Sequence, residues 1–173
     1  MTRTRSTQWL WAVLWMCCGL LLPQPSQADD SAESHSGPWV GGHVGIAIQL
    51  AEISKDSKII GDDFGTIGLA PGITVHLSDR WAIDFETVAY SDYANSSSFF
   101  VVDPGLLYKF DRLALGIRAA VNTRSFDNWG FIPIINKGWS VGLIKLFVEL
   151  DLPIFITDGE ASMVVQPQLG VAF

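Results

Sequence analysis

Cysteine, histidine and basic charge are all scarce in this 173-residue chain, and each scarcity closes off a class of function. The two cysteines, Cys17 and Cys18, are adjacent and sit in an N-terminal apolar stretch, so the rest of the chain has neither a disulfide nor thiol chemistry. Three histidines, His35, His43 and His76, stand too far apart for a metal-ligand motif. There is no Gly-rich phosphate loop and no nucleophile elbow, so no cofactor is expected. Eleven basic residues against 18 acids give a net charge of −7, which argues against nucleic acid as a partner. After the N-terminal stretch, no apolar run approaches the ~20 residues of a spanning helix.

What is present begins with a leader pattern. Arg3 and Arg5 form a basic start, an apolar stretch follows from Trp9 to Leu22, and Ser26 and Ala28 supply small residues for a cleavage site. The pattern predicts a Sec-type signal peptide over 1–28, cut near Ala28. Its apolar run is too short for a membrane anchor, and Cys17 and Cys18 lack the small residue a lipoprotein site needs before them. Cleavage removes two basic residues and no acid, making the remainder more acidic. Residues 29–38 are mostly small and polar and read as a flexible periplasmic lead-in, leaving 39–173 as one domain.

That domain alternates. Counting back by twos from Phe173 gives Val171, Leu169, Pro167, Val165 and Met163, all apolar, while the other parity holds Ala172, Gly170, Gln168, Gln166 and Val164. A period of two marks a strand with one greasy face. The same test predicts eight strands, at 39–50, 64–77, 81–91, 98–110, 112–122, 129–135, 139–155 and 163–173. Two of the hairpins repeat: Pro71–Glu86 and Pro104–Arg118 each read as strand, tight Asp-Arg turn, strand, the unit of an up-and-down meander. Turns at Ser78-Asp79-Arg80, at Asp111 and at Asn136-Lys137-Gly138 are short. Connections near 51–63, 92–97, 123–128 and 156–162 read as longer and polar, with acids at Asp62, Asp63, Asp92, Asp127, Asp158 and Glu160.

One parity of these strands carries Ile46, Leu69, Ile73, Ile83, Phe85, Leu115, Ile117 and Val148, among others. The opposite parity carries charges, glycines and alanines. A greasy outside with a charged inside is tolerable where the outside meets lipid. The predicted fold is therefore all-β, an eight-stranded antiparallel up-and-down transmembrane β-barrel. Trp81, Phe110 and Phe173 fall beside the turns or terminus on the greasy parity and would form an aromatic girdle, with Trp39 and Trp139 level with them but off that parity. Pro71, Pro104 and Pro167 each precede Leu77, Phe110 or Phe173 by six residues. That spacing suggests bulges at one height, since proline removes a ladder hydrogen bond.

The terminal strand ending on Phe173, the asymmetric connections and the inside-out alternation resemble the small eight-stranded outer-membrane β-barrel proteins of Gram-negative bacteria. The resemblance covers residues 39–173. It implies an outer-membrane location, Phe173 as an assembly signal, and as partners the lipid bilayer, lipopolysaccharide and the outer-membrane assembly machinery. The inward parity gathers Asp84, Glu86, Asp103, Lys109, Arg118, Lys145, Glu149 and Asp151, with Gly45, Gly72, Gly105 and Gly116 leaving them room. A two-residue turn in the second hairpin is expected to put Asp103 opposite Arg118, and Glu86 and Arg118 fall at equivalent places in the repeat. This set resembles the ion-pair interior of the outer membrane protein A barrel, and buried charges are tolerated only when paired.

The expected function is a structural or interaction role at the cell surface, without catalytic residues. The first alternative is an enzyme modifying lipid A. Such barrels use a His and a Ser near the outer leaflet, whereas His43 and His76 read as low on their strands and Ser78 as a turn residue. The second is a narrow channel, which a barrel of this size, normally filled by its own side chains, disfavours.

Overall fold

The computed structural model describes residues 37–173, apart from 62, 63, 112, 124–127 and 158. The expected signal peptide, most of the expected lead-in, His35, and the loop acids Asp62, Asp63, Asp127 and Asp158 lie outside the described residues. Eleven strands follow: β1 (Trp39–Gln49), β2 (Ala51–Ile53), β3 (Lys58–Ile59), β4 (Thr66–His76), β5 (Trp81–Asp92), β6 (Ser97–Phe110), β7 (Leu113–Asn122), β8 (Trp129–Val141), β9 (Ile144–Asp151), β10 (Ile154–Thr157) and β11 (Glu160–Ala172). All pairings are antiparallel, each stave lies beside the next in sequence, and β1 pairs with β11 to close the barrel. Beyond Leu152-Pro153, β10 continues β9 in the same register against β8 and β11, so the barrel has eight staves.

The staves are strongly tilted. Stepping between paired residues from Trp39 leads to His76, Ala82, Leu107, Gly116, Ile134, Asp151 and Gln166. Gln166 then bonds Gln49, most of a strand above the start. Closure with such a stagger sets the tilt of small barrels. A 12-residue stave such as β5, tilted about 40° and rising about 3.3 Å per residue, spans about 30 Å, enough for the ~25 Å apolar band of a membrane barrel.

The alternation comes out as expected. On β5, Ala82, Asp84, Glu86, Val88 and Tyr90 are buried while Trp81, Ile83 and Phe85 are exposed. Ile46, Leu69, Ile73, Ile117 and Leu169 are each at least half exposed on the barrel's outside. Exposed aromatics gather at both ends of this surface: Trp81, Phe110 and Phe173 by the termini, and Tyr93, Phe100 and Trp129 at the opposite end. Toward the connection end the lumen is packed with Ala47, Ala70, Val88, Tyr90, Val101 and Ala120, with Phe99 and Phe155 against them.

Several local expectations fail. There is no turn at Asn136-Lys137-Gly138, because β8 runs on to Val141 and the turn falls at Gly142-Leu143, where Gly142 supplies φ 63°. Residues 139–141 therefore belong to β8 rather than β9. Trp139 moves to the outward parity, with Lys137 over its ring at 5.5 Å. The long loop expected near 156–162 is a tight turn, since Thr157 already pairs with Glu160. The 92–97 connection is likewise short, with Asp92 paired to Ser97. Within 51–63, β2 extends the first stave along β11 and β3 folds back on it.

The prolines do not mark three bulges. Pro71 pairs with Val44 and Pro104 with Phe85 in unbroken register, and the ladder merely lapses on their other side, at Ala70-Pro71 toward β5 and at Asp103-Pro104 toward β7. Each loses one hydrogen bond without inserting a residue. One bulge does occur beside Pro167, on the partner strand. Between the pairs Ala47–Gln168 and Ala51–Val165, three residues of the first stave face two of β11.

Candidate functional site

Tilt and parity together bring four carboxylates around one guanidinium at mid-barrel. Arg118 reaches across the lumen from β7. Its Nε donates to Asp84 Oδ2 at 2.9 Å, and its Nη2 lies 2.7 Å from the same oxygen. Its Nη1 faces Glu149 Oε1 at 2.8 Å, Glu86 Oε1 at 3.4 Å and Asp151 Oδ1 at 3.9 Å. One planar fork thus ties β5 to β9 through the centre of the barrel, which a lysine's single ammonium could not do with the same geometry.

The remaining acceptors are met by neutral donors. Thr74 Oγ1 donates to Asp84 Oδ1 at 2.6 Å, Asn136 Nδ2 to Glu149 Oε2 at 2.8 Å, Gln166 Nε2 to Asp151 Oδ2 at 3.0 Å and Gln168 Nε2 to Glu86 Oε2 at 2.8 Å. His43 Nε2 lies 3.1 Å from Glu86 Oε2. Tyr90 caps the layer by donating to Gln166 Oε1 at 2.7 Å. Asp84, Glu86, Asp103, Arg118, Glu149, Asp151, Gln166 and Gln168 are at most 2% exposed, so side chains fill the lumen at this level. Asp103 Oδ1 and Gln168 Oε1 are buried with no hydrogen-bond partner among the described residues.

The residues expected to form a network divide into three groups. Asp84, Glu86, Arg118, Glu149 and Asp151 are in direct contact. Asp103 stands beside Glu86 across the β5–β6 pair and is not opposite Arg118. The two-residue turn is present, with Phe110 paired to Leu113, but that register sets Arg118 against Gly105. Gly105 makes this possible, because an added Cβ would collide with the Arg118 side chain and come within 2.7 Å of the Ile117 carbonyl oxygen. Lys109 and Lys145 share the inward parity but sit exposed at the terminus end, away from the network.

Sequence reading missed His43, Thr74, Asn136, Gln166 and Gln168 as members of the charged layer. Inward parity was a signal for four of them; Asn136 was hidden by the misplaced turn. His43, read as low on its strand, belongs with Glu86 in the layer. Ser78 is a turn residue whose Oγ accepts from the Arg80 and Trp81 backbone N–H groups, as expected.

This chemistry favours rigidity. Acids, amides and a guanidinium that bond one another in a dry interior hold staves together. No protein-family model and no curated protein matches the chain. Among solved structures, it is similar to a de novo designed transmembrane β-barrel, at 18% identity over 77% of this chain and 93% of that chain with a TM-score of 0.39. It is also similar to the solution NMR structure of the designed barrel TMB2.3, at 21% identity over 80% and 95% of the two chains with a TM-score of 0.41. At these scores the likeness carries no argument. The closed eight-stave antiparallel barrel rests on its own registers.

Proposed function

We propose that this protein is a small outer-membrane β-barrel with a structural or interaction role at the cell surface, exported from a Gram-negative cell by its N-terminal leader. The observation that carries the membrane part is the inversion of polarity. Arg118 and its carboxylates are buried inside, while Ile46, Leu69, Ile117 and Leu169 are exposed outside. In water such a surface would be a continuous apolar patch far beyond what soluble monomers show. In a bilayer it is the outer band, and strands joined around a closed ring leave no edge to satisfy. The aromatics at both ends of the band support the same reading.

The non-catalytic part is supported by the arrangement of the polar side chains. Each functional group of the charged layer is held between other buried groups rather than presented to a substrate, and a nucleophile with its base must reach the atom it attacks. The filled lumen supports a role other than general diffusion. Gel mobility with and without boiling, together with circular dichroism in micelles, tests the membrane reading: a water-soluble folded monomer would end it. Lipid A mass analysis and planar-bilayer conductance test the rest. A shifted acyl pattern would establish an enzyme, and conductance steps altered by replacing Glu149 would establish a channel.

A further inference from the structure

We infer that His43 is held as an imidazolium and forms a proton-dependent clasp across the seam where the barrel closes. The hydrogen bonds around its ring leave one assignment. Nε2 lies 3.1 Å from Glu86 Oε2, and Nδ1 lies 3.4 Å from Thr74 Oγ1. The Thr74 hydroxyl has a single proton, and it is donated to Asp84 Oδ1 at 2.6 Å. If Nδ1 took that proton instead, two oxygens would stand 2.6 Å apart with no proton between them. Asp84 cannot supply one, because its Oδ2 is held by both Nε and Nη2 of Arg118 and the carboxylate stays ionised. Glu86 is likewise an acceptor, receiving Gln168 Nε2 at 2.8 Å on the same Oε2 and facing Arg118 Nη1 through Oε1. Both ring nitrogens of His43 therefore face acceptors, and only the doubly protonated ring has two donors.

The surroundings fix the ring and its charge. His43 pairs with Gly72 on β4 and with Ala172 on β11, and a Cβ on Gly72 would collide with the imidazole. Phe147 of β9 meets the ring edge-on, with centroids 6.0 Å apart. The acids facing it are Glu86 and Asp84 on β5, with Arg118 of β7 bonded to both. Asp103 of β6 stands across the β5–β6 pair from Glu86, and Glu149 of β9 is engaged by Arg118 and Asn136. His76 is stacked on Trp39 at the terminus end, where Lys109 and Lys145 are exposed. Glu86 Oε2 thus receives His43 from β1 and Gln168 from β11, the two strands whose pairing closes the barrel. One carboxylate of β5 clips both sides of the seam across the lumen, and half of the clip lasts only while the ring keeps its second proton. The unfolded chain releases that proton above about pH 6.5. The contribution to stability is therefore complete below that pH and is lost as the pH rises and the folded ring also gives up its proton. It depends on the closed barrel alone, not on which membrane holds it.

The test is long-range nitrogen–proton NMR of the imidazole rings in the barrel refolded in micelles, with the His43 signals identified by their loss in His43→Gln. At about pH 7.5, a unit above the ~6.5 of a free imidazole, both His43 nitrogens should carry protons. Glu86→Gln should move the loss of the second proton to lower pH. The natural chain alone decides the protonation state even if Glu86→Gln does not fold. As the ring titrates, the amide signals of Gly45 and Gly170, paired across the seam, should shift with it. Those of Val101 and Asn122, paired across β6 and β7, should not. The urea midpoint should fall with rising pH more steeply in the natural chain than in His43→Gln, whose side chain does not titrate. A ring with one proton at about pH 7.5 would overturn the clasp. So would midpoints that fall alike in the two chains, or seam amides that stay still while the ring titrates.

Discussion

Replacing Arg118 by leucine is the sharpest perturbation of this interior. The guanidinium lies within 4 Å of four carboxylates, at 2.7 Å from Asp84, 2.8 Å from Glu149, 3.4 Å from Glu86 and 3.9 Å from Asp151. Leucine fills part of the volume but leaves these acids dry without the cation facing them. Removing one partner of a buried pair costs about 3–5 kcal/mol. Thr74, Asn136, Gln166 and Gln168 still donate to the same carboxylates, which keeps the expected cost inside that range. The assay is urea unfolding in micelles at neutral pH, followed by tryptophan fluorescence. The stranded carboxylates are destabilising only while charged, so the deficit should shrink as the pH falls and they take up protons. Adding Asp84→Asn and Glu149→Gln to Arg118→Leu should recover at least half of the loss at neutral pH. A deficit under about 1 kcal/mol at neutral pH, or one that widens in acid, would refute the argument that this cation organises the lumen.

Three further outcomes follow from the same geometry. Gly105→Ala should lower the urea midpoint more than Ala119→Gly on the exposed face of β7, because its Cβ meets the Arg118 stem and the Ile117 carbonyl oxygen, which cannot move aside. Leu169→Arg, in the middle of the outer band, should cost about 2–4 kcal/mol for folding into bilayers, whereas Phe110→Arg at the rim should cost about 1 kcal/mol or less. Deleting Phe173 should reduce assembly in cells while refolding into micelles loses only the two backbone bonds exchanged with Gly42, each 2.9 Å; unchanged cellular levels would contradict the proposed assembly signal.

Period-two alternation made most of this fold readable, because a one-residue error would have exposed charges and buried leucines on every stave. Alternation alone assigns Asp84, Glu86, Arg118, Glu149 and Asp151 to the lumen. It could not fix the ends of strands. Asn136-Lys137-Gly138 has turn chemistry, yet the apolar Val141 and Leu143 end the hairpin, because pairing with β9 outweighs local preference. Register in the second hairpin was legible but miscounted: a two-residue turn that pairs Phe110 with Leu113 already sets Arg118 against Gly105 rather than Asp103. The prolines misled because the expected penalty, one lost hydrogen bond, need not shift the register. His43 was set aside because its height on β1 was judged without the register that puts only Gly72 of β4 between it and Glu86.

The most direct test of the central claim, polar inside and lipid outside, needs no mutation. Methyl NMR of the barrel in nanodiscs can record contacts between isoleucine side chains and acyl chains. Ile46, Ile67, Ile73, Ile83, Ile117 and Ile135, all exposed on the outer face, should each show contacts with lipid methylenes. Ile132 and Ile134, each 2% exposed in the lumen on the stave that also carries Ile135, should show none. Lipid contacts at Ile132 and Ile134, or their absence at the six outward isoleucines, would contradict the account.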